Sequence, residues 1–371
     1  LAILYVVGLH LFGYLKAKSP GIPADSSIWH SVLASVLLNG SFGVEMFFVL
    51  SGFLIFRKFL ARTSSSDKDF IKAYYWRRLV RIEPPYLIAL IINFCLLCLV
   101  SPEPISRALA ANTPQLLSSL TYTHGLFFPH NADSLNISVW SLEVEVQFYL
   151  IAPLLLIFLV PLRPFNRQLA ISVLYIVSCA LCLLRPFYFP GLIDWLPNFL
   201  AGVFLAGSLS LELKQKSQNY ALVAAGIALA VLLFLRLYLQ QQTAHLVDGS
   251  LFRFLNKVIV PIAIIGLYAV LLRSAQLSKV LSWGILPFIG RMCFSVYLIH
   301  YPAIAFTGKL LKGAGVEAGS GAMLLVEAAI MLLSALLFCT AYYYVVERRF
   351  LRQRAERATF SSDTKNGVAG G

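Results

Sequence analysis

Residues 41–56 read SFGVEMFFVLSGFLIF, an apolar run with Glu45 near its start and a Ser51-Gly52 pair in its middle. The run has membrane-spanning character, yet a carboxylate inside such a helix costs roughly 2.5–3.5 kcal/mol on insertion scales. Residues of that kind usually face a cavity or a partner. Ser51 and Gly52 remove side-chain bulk, so a second helix or a ligand can approach the backbone there. The fold depends on whether the rest of the chain supplies more spans and a partner for Glu45.

It offers candidates for both. The chain has 371 residues, 59% hydrophobic and 13% charged, against about 25% charged in a soluble globule. That length has room for about ten spans of roughly 20 residues plus loops. The runs are continuously apolar, whereas a β-barrel would show alternating strands. The expectation is an all-α, polytopic membrane protein with about ten transmembrane helices in one bundle. That bundle would fill residues 1–350, and 351–371 would be a basic, then flexible, cytoplasmic tail. The expected spans are 1–15, 41–60, 84–100, 140–162, 169–184, 195–211, 221–239, 258–272, 293–311 and 323–346. Pro84-Pro85 suit the first turn of the third span. Residues 101–139 read as a long, weakly charged loop, of a length that is often functional or partly structured. The chain opens inside an apolar segment, as if a few residues preceded it, and shows no cleavable signal peptide.

The net charge of +13 does not require a nucleic-acid partner, because Lys and Arg of a membrane protein concentrate in cytoplasmic loops. Here they gather at 57–81, in the loops after the fourth, sixth and eighth spans, and in the tail. The positive-inside rule then puts both termini in the cytoplasm, as in a multi-pass protein of the inner membrane, and 101–139 outside. Cys95, Cys98, Cys179, Cys182, Cys293 and Cys339 all fall in apolar runs. They read as packing thiols rather than a metal or redox site, so no metal is expected.

Four polar groupings stand out from this apolar background. His10, in the first span, reads either as a helix-end histidine bonded at the interface or as a general base held by Glu45. Arg78 and Arg81 share a helix face. They are either positive-inside anchors or planar guanidinium groups that could hold phosphates. Ser141, Glu145 and Tyr149 align at four-residue intervals on the fourth span, and Glu143 aligns with Gln147. An exposed first turn, where acidic groups favour the dipole, accounts for Glu143; Glu145 is the better functional candidate. Tyr297 and His300 share a face on the ninth span, lining a cavity or packed against neighbours, and Pro302 frees the Leu298 carbonyl.

Four stretches, in this order, resemble the membrane-bound acyltransferase family three, O-acetyltransferases acting on bacterial surface glycans. They are GVEMFFVLSGFL at 43–54, RRLVRIEP at 77–84, WSLEVEVQFYL at 140–150 and SVYLIHYP at 295–302. The family's ten-helix core agrees with the span count. The resemblance implies acyl-CoA, usually acetyl-CoA, as cytoplasmic donor and a hydroxyl, commonly on a sugar, as acceptor. By it His10 matches the candidate catalytic base, and Arg78 and Arg81 match an Arg-x-x-Arg motif implicated in donor binding. Ser51, Glu145 and Tyr149 match motif positions near the proposed site. Glu45 stands where the family usually has Asp, and the family's arginine eleven residues before the histidine would fall upstream of Leu1.

The expected function is thus an integral-membrane O-acyltransferase, moving an acyl group, acetyl by default, to an extracytoplasmic glycan or lipid-linked sugar. Its expected partners are the lipid bilayer, the donor and that acceptor. The rival class is a secondary transporter or glycolipid flippase, whose intramembrane Glu and His would relay protons. A catalytically inactive family member serving as a regulatory scaffold is a third reading.

Overall fold

A computed structural model of the chain describes residues 2–18, 41–62, 67–128, 135–136, 138–183, 191–209, 226, 249–316 and 322–351. The span expected at 221–239 lies outside the described residues, apart from residue 226, as does all of the tail beyond 351. Among the described residues the regular structure is helical, with no strand.

The helices fall into two compact units. The first comprises Leu1–Ser65 and Thr121–Pro287. It contains α1 (Ala2–Lys18) and α2 (Ser41–Leu60). The second unit comprises Ser66–Leu120 and Phe288–Gly371, and opens with α3 (Asp67–Val100) and α4 (Ile105–Leu120). The chain then returns to the first unit with α5 (His124–Phe127), α6 (Trp140–Leu159), α7 (Pro164–Leu183) and α8 (Leu192–Leu209). That unit ends with α9 (Gly249–Arg273) and α10 (Ala275–Leu281), after which α11 (Leu286–Arg291) follows. The second unit closes with α12 (Cys293–Gly313), α13 (Ala322–Tyr342) and one π-helical turn, Tyr343–Glu347.

Six described helices are long and apolar enough to cross a membrane: α3, α6, α7, α8, α9 and α13. The all-α membrane class stands; the number of spans does not reach ten on the described residues. Two expected spans formed helices without joining the six. Helix α2 carries Glu45, Arg57 and Lys58, and α12 carries Lys309 and Lys312, which shorten their uninterrupted apolar stretches. α1 is a shorter apolar helix.

One expectation is overturned in detail. Pro84 and Pro85 do not start a helix; they lie inside the 34-residue α3. Their missing N–H groups forfeit the bonds to the Val80 and Arg81 carbonyls, but a proline φ is compatible with a helix, so the chain continues through. At about 1.5 Å per residue α3 is about 51 Å long, against a hydrocarbon core of about 30 Å. Its basic first half therefore extends beyond an apolar second half long enough to be lipid-embedded. The segment 101–139, expected as a long loop of a kind often partly structured, holds the 16-residue α4. Tyr86 of α3 donates its hydroxyl to the Ser119 carbonyl of α4 at 2.8 Å.

In the first unit α2 crosses α8 at backbone contact. A Cβ added to Gly52 would collide with the Phe199 carbonyl, and one added to Gly202 would collide with the Val49 carbonyl. Glycine on both sides is what permits this approach, the small-residue logic of membrane helix pairs. Around the crossing, Met46, Val49, Ala201, Val260 and Ile264 form a buried cluster from α2, α8 and α9. Phe199 stacks on Phe148 of α6 with ring centroids 4.0 Å apart. It also lies 4.7 Å from the Phe48 ring of α2. Gly43 brings α1 onto α2, since a Cβ there would lie 2.6 Å from the Ala2 carbonyl.

Candidate active site

The first unit gathers most of the singled-out groups. Glu45, half-buried on α2, accepts a hydrogen bond from Asn198 Nδ2 of α8 at 3.3 Å. Lys257 of α9 sits with its ammonium 3.6 Å from the centroid of the Trp195 ring, a cation–π contact. Its charge interacts with those of Glu45 and Asp194. An intramembrane carboxylate is tolerable when a donor and a counter-charge are built around it, and here α8 and α9 bring both. His10 lies on α1, half-buried. It is one helical turn beyond Val6, whose side chain would also meet a Cβ at Gly43, so it continues the face that α1 turns toward α2.

A second grouping joins α2 to α6. Ser51 Oγ donates to Glu145 Oε1 at 2.5 Å, and the Tyr149 hydroxyl donates to the same oxygen. The three residues that the sequence placed at motif positions are thus brought into direct contact. Removing the acceptor would cost the Ser51 and Tyr149 hydroxyls their shared bond, and a buried hydroxyl that loses its acceptor costs about 1–3 kcal/mol. Glu145→Ala is therefore expected to lower the melting temperature of the purified protein. Glu145→Gln, which keeps an acceptor oxygen, should recover much of the loss. Equal melting temperatures for wild type and Glu145→Ala would contradict this placement.

Glu143 corrects its expectation. It is not in an exposed turn but 1% exposed, and its two oxygens accept the backbone N–H groups of His124 and Gly125 at 2.8 and 2.9 Å. It caps the short α5, whose first amides have no partner within the helix. Gln147 does similar work, accepting the Leu192 N–H at the start of α8 at 2.9 Å.

The remaining candidates lie in the second unit. Arg78 and Arg81 are on the basic half of α3, Arg78 half-buried with its guanidinium 5.9 Å from the Tyr74 ring, Arg81 exposed. On α12, Tyr297 stacks on Phe294 with rings 6° from parallel. His300 is fully buried. Its Nδ1 donates to the Val296 carbonyl at 2.7 Å and lies 3.1 Å from that of Tyr297. Because carbonyls only accept, Nδ1 carries the proton and Nε2 is the acceptor of the neutral ring.

Sequence reasoning passed over Asn198, Lys257 and Glu347. The rule that singled out Glu45, a polar group inside an apolar run, applies equally to Asn198 and Lys257. Glu347 stands directly before Arg348 and Arg349, where a basic helix end masks it.

The arrangement defines a helical membrane protein with buried acid, base and hydroxyl groups, and comparison with known proteins supplies its class. The acyltransferase-domain family matches residues 1–344, and the chain belongs to it. It is a multi-pass membrane protein of that family, which favours the enzyme reading over the transport one. Among curated relatives, the O-acetyltransferase OatA of Staphylococcus aureus is 28% identical over 301 residues, covering 74% of this chain and 48% of the relative. The peptidoglycan O-acetyltransferase OatA of Listeria monocytogenes is 27% identical over 299 residues, covering 74% and 46% respectively. The chain thus spans about half the length of these relatives. No solved structure matches it.

Proposed function

We propose that the protein is an O-acetyltransferase that moves an acetyl group from cytoplasmic acetyl-CoA to a hydroxyl of an extracytoplasmic glycan or lipid-linked sugar. The match of residues 1–344 to the acyltransferase family carries this reading. The printed activities of the two relatives support the acetyl group, and that of the Listeria protein supports a glycan acceptor. The domain would occupy residues 1–350, in the inner membrane with both termini cytoplasmic.

In this reading His10 takes the proton of the acceptor hydroxyl as its oxygen attacks the thioester carbonyl carbon. The C–O bond forms, the C–S bond breaks, and the proton passes from His10 to the departing thiolate, giving free CoA. Glu45 would stabilise the imidazolium, held in its own position by Asn198 and the charge of Lys257. Transfer is direct. Ser51 is a nucleophile held against a carboxylate, but it shares Glu145 Oε1 with the Tyr149 hydroxyl, an arrangement that stabilises the carboxylate charge rather than activating the serine. Ser51, Glu145, Tyr149, Tyr297 and His300 are assigned to shaping the substrate environment.

Arg78 and Arg81 would hold the phosphates of the donor, a task suited to planar guanidinium groups. A ligand at one hundred times its Kd stabilises the protein that binds it by about 2.7 kcal/mol. Acetyl-CoA at such a concentration should raise the melting temperature of the wild-type protein, and the Arg78→Ala/Arg81→Ala variant should lose that rise. Undiminished stabilisation of the double variant would remove the arginines from donor binding.

A further inference from the structure

Asn198 of α8 is fully buried, yet only half of its amide is used. Its Nδ2 donates to Glu45 Oε2 at 3.3 Å, while its Oδ1 has no hydrogen-bond partner among the described residues. Glu45 fixes which atom is which, because an ionised carboxylate only accepts and so takes the nitrogen. A buried carbonyl oxygen without a donor is destabilising. Support of Glu45 explains the nitrogen and leaves the oxygen unexplained.

The surroundings of Asn198 are aromatic and charged. Trp195 lies three residues earlier on the same face of α8. Its ring centroid is 5.3 Å from that of Trp140, the first residue of α6, and 5.5 Å from that of Phe48 on α2. Both indoles are half-buried, so the grouping runs from partly exposed rings down to the buried amide. The Lys257 ammonium, on the Trp195 ring, makes no hydrogen bond or ion pair among the described residues. Its N–H donors are therefore available, as is the Asn198 oxygen. An interfacial belt accounts for single tryptophans at a helix end. It does not account for two packed together beside an ammonium and an unsatisfied amide.

Glu45, Trp140, Trp195, Asn198 and Lys257 all lie in the first halves of their helices. As consecutive spans of the proposed topology, α6, α7 and α8 alternate in direction, so α6 and α8 both start on the extracytoplasmic side, where a glycan would arrive. A ligand that satisfies this set must donate to the oxygen, accept from the ammonium and lay an apolar face on an indole. A sugar does all three, because each hydroxyl both donates and accepts and the C–H face of the ring packs on aromatic carbon. An aromatic lining with a few fixed polar groups is the usual make-up of a small-ligand site.

We infer that this end of the first unit is the subsite for the acceptor sugar. One sugar hydroxyl donates to Asn198 Oδ1, another accepts from Lys257, and the ring lies on the exposed part of the Trp140 indole. The inference rests on the reading of the protein as a glycan acetyltransferase, and it brings the acceptor hydroxyls beside Glu45.

The test uses the full chain in detergent with a soluble oligosaccharide of bacterial cell-wall glycan, and measures KM separately for the oligosaccharide and for acetyl-CoA. Trp140→Ala, Lys257→Met and Asn198→Leu should each raise KM for the oligosaccharide roughly tenfold, with KM for acetyl-CoA within about twofold. Asn198→Leu also releases Glu45 and should lower kcat as well. Trp140→Ala and Lys257→Met carry the test where Asn198→Leu yields no folded protein. Binding is read apart from transfer: the oligosaccharide alone should change the tryptophan fluorescence of the wild type, and Lys257→Met should raise the Kd of that change about as much as it raises KM. Wild-type KM for the oligosaccharide in both Trp140→Ala and Lys257→Met would overturn the inference and leave the acetyltransferase reading intact. A rise confined to KM for acetyl-CoA would also overturn it, by giving the subsite to the amide-bearing arm of the donor. Oligosaccharide binding that Lys257→Met weakens, in a wild type that transfers no acetyl group, would support the sugar subsite and contradict the acetyltransferase reading instead.

Discussion

His10→Ala is expected to slow acetyl transfer by about 10²–10⁴-fold, the contribution of a positioned general base. Its melting temperature should stay within a few degrees of wild type. His10 is half-buried on α1, on the face that continues from Val6, and α1 reaches α2 through the glycine at position 43. On α2 a carboxylate is maintained at Glu45 by a donor from Asn198 and the charge of Lys257. A neutral imidazole can accept a proton near pH 7, and a neighbouring carboxylate stabilises the imidazolium that results. A half-buried side chain shortened to alanine loses little packing, so a large loss of rate at nearly constant stability is the signature of the role. The check is release of the free CoA thiol from acetyl-CoA in the presence of acceptor. Turnover at the wild-type rate would remove His10 from the chemistry.

The largest expected effect on stability lies elsewhere, at the α2–α8 crossing. Gly202→Leu should cost about 3 kcal/mol or more, at or beyond the upper end of overpacking penalties, because the obstacle is backbone rather than a movable side chain. The Val49 carbonyl and the Phe53 N–H stand in the way of even a Cβ at Gly202, and the Phe199 carbonyl stands in the way at Gly52. The helices can relieve the clash only by moving apart, which would open the Met46–Val49–Ala201 cluster and separate Asn198 from Glu45. Gly13→Ala is the control: nothing lies within 4 Å of a Cβ there. Alanine is favoured over glycine in a helix by about 1 kcal/mol, so that variant should melt at or slightly above wild type. Thermal melts of the detergent-solubilised protein would show both. A Gly202→Leu protein as stable as wild type would contradict the close crossing.

Much of this arrangement was legible in residues 41–56. The Ser51-Gly52 pair was read as a place where a helix or ligand could approach, and the two residues divide those possibilities: Gly52 receives the backbone of α8, and Ser51 turns to Glu145. The four-residue spacing of Ser141, Glu145 and Tyr149 was visible too, and it placed Glu145 and Tyr149 on one face. What spacing cannot show is which other helix meets that face. Glu143 illustrates the limit: its neighbours His124 and Gly125 come from a segment that reads as loop, so the residue looked like an exposed first-turn acid. Pro84-Pro85 looked like a helix start because prolines favour that position, while the capacity of α3 to run through them depends on packing against α4 and on the Tyr342 hydroxyl, which donates to the Pro85 carbonyl. Glu347, buried where it accepts the Ser295 N–H, was hidden for a different reason. It sits on a π turn, which has no period in the sequence to give it away.

The central claim is acetyl transfer from a CoA thioester to a glycan hydroxyl, and the direct measurement follows the acetyl group. The full chain, reconstituted in lipid vesicles, is supplied with labelled acetyl-CoA and bacterial cell-wall glycan, and both the glycan and the free thiol are quantified. The expected result is label on the glycan as an ester removable by mild alkali, one free CoA for each ester formed, and loss of both in His10→Ala. Folded wild-type protein that forms no ester and releases no CoA, or that moves glycan across the bilayer without acetylating it, would contradict it.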